Sequence, residues 1–273
     1  MKYKMFLGML NSDNINSFES LKYFLNSTFR IGILMSLYDT NKTIKELKTD
    51  LHKSESNLLH YLKDLEEKEI IEKFNDYYSL TSYGYIISKQ LYKFFENWNS
   101  INNNIDFIDN HIEPNLPLDL TLNMDVWEEA EIIQSTHLDY NYASHQYKEL
   151  LLESKNIKVI LPILSQFHIH AILESLQNNN GHLDLITSKL IMKKIQKSDL
   201  GPLFKELEDN NQISIWYSNS HVKLNKFLTC TENFISLFLF YNDGNCDDSE
   251  MLLVQDQKKV DKMNQLIDEN KLN

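Results

Sequence analysis

Thr43-Ile44-Lys45-Glu46-Leu47 and, a short step on, Ser54-Glu55-Ser56-Asn57-Leu58-Leu59-His60-Tyr61-Leu62-Lys63-Asp64-Leu65-Glu66 read as two successive helix starts. Thr43 with Glu46 three residues later is a capping box: the hydroxyl takes an orphan amide of the first turn and the carboxylate reaches back to the cap's own N–H. Ser54 is expected to cap the second helix through its hydroxyl. In that helix Leu58, Leu62 and Leu65 recur at four and three, so an apolar stripe turns inward while Ser56, Asn57, His60 and Lys63 turn outward. Ile70-Ile71-Glu72-Lys73-Phe74 and Tyr77-Tyr78-Ser79-Leu80-Thr81 follow as two β-rich runs around Asn75-Asp76, a two-residue hairpin turn. Upstream, Ser17 to Tyr38 is expected to form one helix with Leu21, Phe24, Leu25, Ile31, Leu34 and Leu37 on its inner face. Helices followed by a hairpin in this order predict a winged helix-turn-helix over residues 1–84.

The next segment has its own period. Ile87, Leu91, Phe94, Trp98, Ile101, Ile105, Ile108 and Ile112 are spaced four, three, four, three, four, three and four. A seven-residue repeat held for this long favours a partner helix, and at about 1.5 Å per residue it would reach roughly 38 Å. Residues 85–114 are therefore expected to be a long linker helix that dimerises through Ile87, Leu91, Phe94, Trp98, Ile101, Ile105 and Ile108, with Asn102-Asn103-Asn104 as the place where it bends. Phe95 and Phe107 argue the other way, for packing on the chain's own domains.

Pro114 and Pro117 mark the step into residues 115–273. There, β-rich runs at 131–135, 158–162, 183–187 and 213–218 alternate with helical patterns at 140–154, 167–177 and 188–196, which predicts an α/β domain with a largely parallel sheet. Residues 226–231 and 233–241 then read as an antiparallel hairpin, making the sheet mixed, and Asp256 caps a last helix.

Composition bounds the function classes. With 42% hydrophobic and 24% charged residues and no apolar run of membrane length, the chain is expected to be a cytoplasmic globular protein. Cys230 and Cys246 lack metal-ligand spacing, so neither a disulfide nor a zinc site is expected, and no cofactor is called for. The net charge of −12 is unfavourable for a protein that neutralises phosphates, but it is unevenly placed. Eleven lysines and arginines against twelve aspartates and glutamates leave residues 1–80 at −1. Three against eleven leave 81–150 at −8, and thirteen against sixteen leave 151–273 at −3. Arg30, the only arginine, falls in an apolar helix and is not expected to reach a guanine.

From Arg30-Ile31-Gly32-Ile33-Leu34 through Leu58 to Glu66, then Tyr78-Ser79-Leu80-Thr81-Ser82-Tyr83-Gly84, and on to Asn110-His111-Ile112-Glu113-Pro114-Asn115-Leu116-Pro117, the chain resembles archaeal winged-helix transcriptional regulators of the methanogenesis-regulator family. That resemblance implies a DNA-binding N-terminal domain joined to an effector-like, non-catalytic C-terminal domain. The order of the second domain resembles half of a phospholipase-D-like fold, whose hydrolases need a His-x-Lys with a downstream Asp. At His168-Ile169-His170 the third position is histidine, so a missing His-x-Lys argues against catalysis.

Together these readings give a dimeric transcriptional regulator of double-stranded DNA. Asn57 and His60 are expected to read base edges, Thr43, Lys53 and Lys63 to hold phosphates, and Ser54, Ser56 and Lys73 to complete the DNA-facing set. Ser135, Thr136, His137, Thr187 and Ser188 follow β runs, where open sheets bind ligands, and are the expected pocket for a small, weakly charged effector. Asp243-Gly244-Asn245-Cys246-Asp247-Asp248 lacks the closing glutamate of a calcium loop and reads as a turn. Lys189, Lys193 and Lys197, with Lys194 beside them, give one helix a basic face with no assigned partner. Two alternatives stand beside the regulator: a phosphodiester hydrolase, and a winged helix that binds protein instead of DNA.

Overall fold

The computed structural model describes residues 12–52, 54–111, 123–218, 226–241 and 245–271. Two compact units divide between Phe95 and Glu96. The first contains α1 (Ser12–Leu25), α2 (Thr28–Leu37), β1 (Lys42–Thr43), α3 (Ile44–Leu51), α4 (Glu55–Glu67), β2 (Ile71–Phe74), β3 (Tyr77–Leu80) and the start of α5 (Ser82–Asn103). The single helix expected over 17–38 is two helices. Ser27 is extended, at φ −143° and ψ 101°, and its hydroxyl accepts from the Arg30 amide, which starts α2 afresh. Phe24, Ile33, Leu34 and Leu37 are buried with Leu47, Leu58, Leu62, Leu65, Ile70, Ile71 and Tyr78, each large side chain contributing about 1.5–3 kcal/mol of burial. Leu21 and Leu25, placed on the inner face by sequence, are exposed.

The three-stranded sheet runs β1-β3-β2, with Phe74 opposite Tyr77 across a turn whose Asn75 takes a left-handed φ of 55°. The short β1 was not anticipated. At Gly84 a Cβ would fall 1.9 Å from the Ile70 carbonyl oxygen, so only glycine lets α5 leave this close to the wing.

The linker departs from one uninterrupted heptad helix. Leu91 is buried in the winged-helix core with Ile87 and Phe95 packed beside it, while Ile101 and Ile108 pack with buried Phe107 on the second unit's core. Of the expected dimer seam, only Phe94, Trp98 and Ile105 stay about half exposed, and Ile112 lies outside the described residues. The break falls at Asn104, before α6 (Ile105–His111). Its buried amide donates to the carbonyls of Ser100 at 2.9 Å and Trp127 at 2.8 Å. The chain's own cores thus claim much of the stripe that looked like a seam.

The second unit has a seven-stranded sheet in the order β4-β10-β9-β8-β5-β6-β7. The strands are β4 (Glu131–Gln134), β5 (Asn156–Leu161), β6 (His182–Thr187), β7 (Ile213–Tyr217), β8 (Phe227–Cys230), β9 (Ile235–Phe238) and β10 (Glu250–Val254). β5, β6 and β7 are parallel and the other pairings antiparallel, so the sheet is mixed and less parallel than its sequence order suggested. Alternate residues feed two cores, as where Val159 and Leu161 face one and Ile160 the other. The first core is covered by α7 (Tyr142–Leu152), α8 (Gln166–Asn179), α9 (Lys189–Gln196) and α10 (Gly201–Asp209). The other is covered by α6, a 3-10 turn at Met124–Trp127 and α11 (Gln257–Lys271). α10 and β10 were not read from the sequence.

Candidate nucleic-acid interface

The apolar stripe of α4 sits in the winged-helix core, so the rest of the helix is held outward. Ser54, Ser56, Asn57, His60 and Lys63 are all exposed, and Leu59, which the sequence reading passed over, is exposed among them. Ser54 makes no side-chain cap bond, contrary to expectation. Lys63 lies 3.7 Å from Glu67, a solvent-exposed pair worth only tenths of a kcal/mol and easily exchanged for a phosphate. Lys53 lies outside the described residues.

Thr43 is committed elsewhere. The capping box is complete: Thr43 accepts from the Glu46 amide, and the Glu46 carboxylate accepts from the Thr43 amide at 2.7 Å. A carboxylate at that helix start leaves the Thr43 amide with no role toward a phosphate, which corrects the assignment made from sequence. Glu46 is itself held below the usual carboxylate range, first by that amide and then by the Thr43 hydroxyl.

Arg30 is an internal strut. Its guanidinium lies 3.0 Å from Asp64 on α4, donates to the Tyr23 carbonyl oxygen at 2.9 Å and covers the Tyr23 ring at 3.8 Å. The Tyr23 hydroxyl donates to the same Asp64 oxygen at 2.6 Å. Partial burial would raise Asp64, but the bonds from Tyr23 and Arg30 outweigh it and hold the carboxyl below its usual range. α1, α2 and α4 are tied at one point. On the wing, Lys73 is exposed, with its ammonium 5.3 Å from the Tyr78 ring, and Phe74 and Tyr77 stand exposed on either side of the turn.

The second unit does not assemble the expected effector pocket. β4 and β6 are five strand steps apart, about 24 Å at the usual strand spacing, so Ser135, Thr136 and His137 cannot meet Thr187 and Ser188. Their hydroxyls are also in use. Ser135 accepts from the Ala143 amide, Thr136 from Leu138 and Asp139, and Ser188 from Ile191, while buried Thr187 donates to the Leu161 carbonyl oxygen at 2.7 Å. His137 is exposed.

His168 is enclosed by aromatic rings, with the centroids of Phe227, Tyr147 and Phe238 at 4.8, 5.0 and 5.3 Å. Ser165 meets its Nδ1 at 2.7 Å, its buried Nε2 has no hydrogen-bond partner, and burial pushes the ring down to about 4. So enclosed, the ring has no path to a phosphodiester. The chain does contain a His-x-Lys, His221-Val222-Lys223, which the sequence reading overlooked and which lies outside the described residues. No aspartate follows it before Asp243. The one intervening acid, Glu232, accepts from the amides of Lys155 and Asn156 at 2.7 and 2.9 Å.

A buried polar pair escaped the sequence reading altogether. His111 at the end of α6 places Nδ1 2.8 Å from the Phe107 carbonyl oxygen and Nε2 2.8 Å from Asp247. Both partners offer oxygen acceptors, and the pair is almost wholly shielded from solvent. Burial would raise Asp247, but hydrogen bonds from Ser249, Tyr241 and His111 keep its carboxyl below the usual range. Tyr241 rises to about 12 because its hydroxyl meets that carboxylate and because it is partly buried. Glu250 brings a third ligand-type oxygen within 4.8 Å of these two groups, and Gln134 donates to it. Cys230 and Cys246 are free thiols, each pushed up to about 12 by burial.

Two family models match the chain. The one described as the N-terminal domain of methanogenesis regulatory protein FilR1 matches residues 18–98, and the one described as its middle domain matches 141–261. Methanogenesis regulatory protein FilR1 of Methanothrix harundinacea (strain 6Ac) is 22% identical over 247 residues, covering 86% of this chain and 53% of that protein. The chain therefore spans about half the length of the curated relative it matches. Among solved structures, the archaeal chromatin protein TrmBL2 is 11% identical with a TM-score of 0.38, over 89% of this chain and 92% of that one. NucT from Helicobacter pylori is 10% identical with a TM-score of 0.37, over 52% of this chain and 94% of that one. At scores below 0.5 these two likenesses carry no argument about activity. Among the described residues no helix is long and apolar enough to cross a membrane.

Proposed function

Because the chain belongs to the family of the methanogenesis regulatory protein FilR1, we propose that it is a DNA-binding transcriptional regulator in which α4 is the reading helix. The observation that carries this is the outward face of α4, whose amide, imidazole and hydroxyls are exposed while its leucines are buried. An asparagine amide can pair with an adenine edge, and in this reading exposed Asn57 takes that role with His60 one turn on. Ser54, Ser56, Lys63 and Lys73 supply contacts to the phosphate backbone. Capture of genomic fragments by the purified chain tests this. Sequences enriched by the wild type and lost with Asn57→Ala plus His60→Ala support it, and equal recovery by both proteins overturns it.

The active form in this reading is a homodimer whose interface keeps the first part of the heptad seam, Ile87, Leu91 and Phe94, and adds residues of α1. A groove of about 340 Å³ between α1 and α5 is lined by Leu21, Phe24, Leu25, Ile86 and Phe94 among others, with no charged side chain among the described lining residues. A chain of net charge −12 repels its own copies, so an uncharged apolar groove is the surface on which a second copy can dock at least electrostatic cost. Ile86→Asp with Leu21→Asp should leave folded monomers in sedimentation. A wild-type monomer at micromolar concentration ends the dimer reading.

The second unit is read as regulatory. Phosphodiester hydrolysis remains the alternative because of His221-Val222-Lys223. Turnover of a phosphodiester by the wild type, lost in His221→Ala, would favour it.

A further inference from the structure

α9 carries Lys189, Lys193 and Lys194, with Lys197 as its C-cap. Ile191, Met192 and Ile195 are buried on the opposite face, so packing turns all four lysines to solvent. No aspartate or glutamate lies between Ser188 and Ser198, and among the described helices this is the one with several lysines and no acid. Lys189 lies 5.9 Å from the ring of Tyr217 on β7, so an exposed aromatic borders the patch. Lys189, Lys193 and Lys197 step along one side of the helix at about 6 Å each.

We propose that this face of α9 is a second contact with the phosphate backbone of duplex DNA, separate from α4. The inference rests on the DNA-binding reading of α4 and extends it. Duplex affinity comes largely from phosphates neutralised by lysine and arginine. The winged-helix side supplies few: residues 1–80 sum to −1, and the sole arginine is spent on Asp64. A rigid acid-free row of cations fits a uniform polyanion, which presents a charge every 1.7 Å or so. The row gives no base-specific chemistry, so its effect is independent of sequence.

The test is fluorescence anisotropy of the full chain on a duplex of arbitrary sequence over a range of salt, comparing wild type with Lys193→Ala/Lys194→Ala/Lys197→Ala. Each lost phosphate contact flattens the plot of log affinity against log salt by about 0.9, so the triple variant should be shallower by about 2–3. The arginine triple should keep the wild-type slope. Equal slopes for wild type and a folded alanine triple, with binding weakened by Lys63→Ala, overturn the α9 contact and leave the α4 reading intact. An altered sedimentation coefficient with an unaltered slope would make the patch a protein interface and also overturn it. No duplex binding by the wild type removes both readings together.

Discussion

The outward face of α4 and the polar residues after the strands of the second unit offer the same chemistry, hydroxyls and a histidine, yet the fold treats them oppositely. On α4, Ser56, Asn57 and His60 project from a helix that buries Leu58, Leu62 and Leu65 on its other side. In the second unit, Ser135, Thr136, Thr187 and Ser188 each satisfy a backbone group of their own chain. A polar side chain spent on its own backbone holds structure, and one left in solvent is available for recognition. The two classes should therefore separate in experiment, the first through stability and the second through binding.

The sharpest break would come at Asp247. Asp247→Ala removes the buried acceptor shared by His111, Ser249 and Tyr241, and should cost about 3–5 kcal/mol in denaturant unfolding, with duplex affinity of the folded fraction unchanged. A cost under about 1 kcal/mol would place that pair with the exposed class. Next is His168, whose folded value near 4 lies below the ordinary 6.5 or so. The unfolded chain takes up the proton first, so stability should fall as pH drops from about 6.5 to 4, by on the order of 3 kcal/mol in all. His168→Phe should remove this slope. What remains is the acid loss below about pH 4 from Asp64 and Asp247, whose lowered carboxyls stabilise the fold above that range and stop doing so once protonated.

Smaller effects test the other side. Asn57→Ala should leave the melting temperature alone and cost about 1–3 kcal/mol of discrimination at one base pair, seen by comparing a matched with a singly mismatched duplex. Thr187→Val should do the reverse. It loses one buried hydrogen bond, about 1 kcal/mol of stability, with no change in DNA binding. A binding defect in Thr187→Val without destabilisation would dissolve the distinction.

What was legible in the sequence follows from range. Caps, the leucine stripe of α4 and the Asn75-Asp76 turn are set by residues a few positions apart, and the winged helix could be read from them. The α/β order of the second domain was also legible, since each element carries its own period. Contacts across long separations were not. Residues 111 and 247 stand 136 positions apart, with no local pattern to join them. The heptad was ambiguous because a helix packed on its own chain's cores shows the same spacing as one packed on a partner. The effector residues misled because their strands, β4 and β6, stand two apart in the chain but five steps apart in the order β4-β10-β9-β8-β5-β6-β7.

The clamp of Arg30 and Tyr23 on Asp64 has a consequence for how such a protein changes over generations. Arg30 and Tyr23 hold α4 through its own Asp64, without using Ser56, Asn57 or His60. If α4 reads DNA as proposed, replacements at those three exposed positions redraw the preferred operator while the scaffold stays as it is. A lineage carrying this clamp is free to rewire its targets by single substitutions, each a test of new sequence preference at almost no risk to folding.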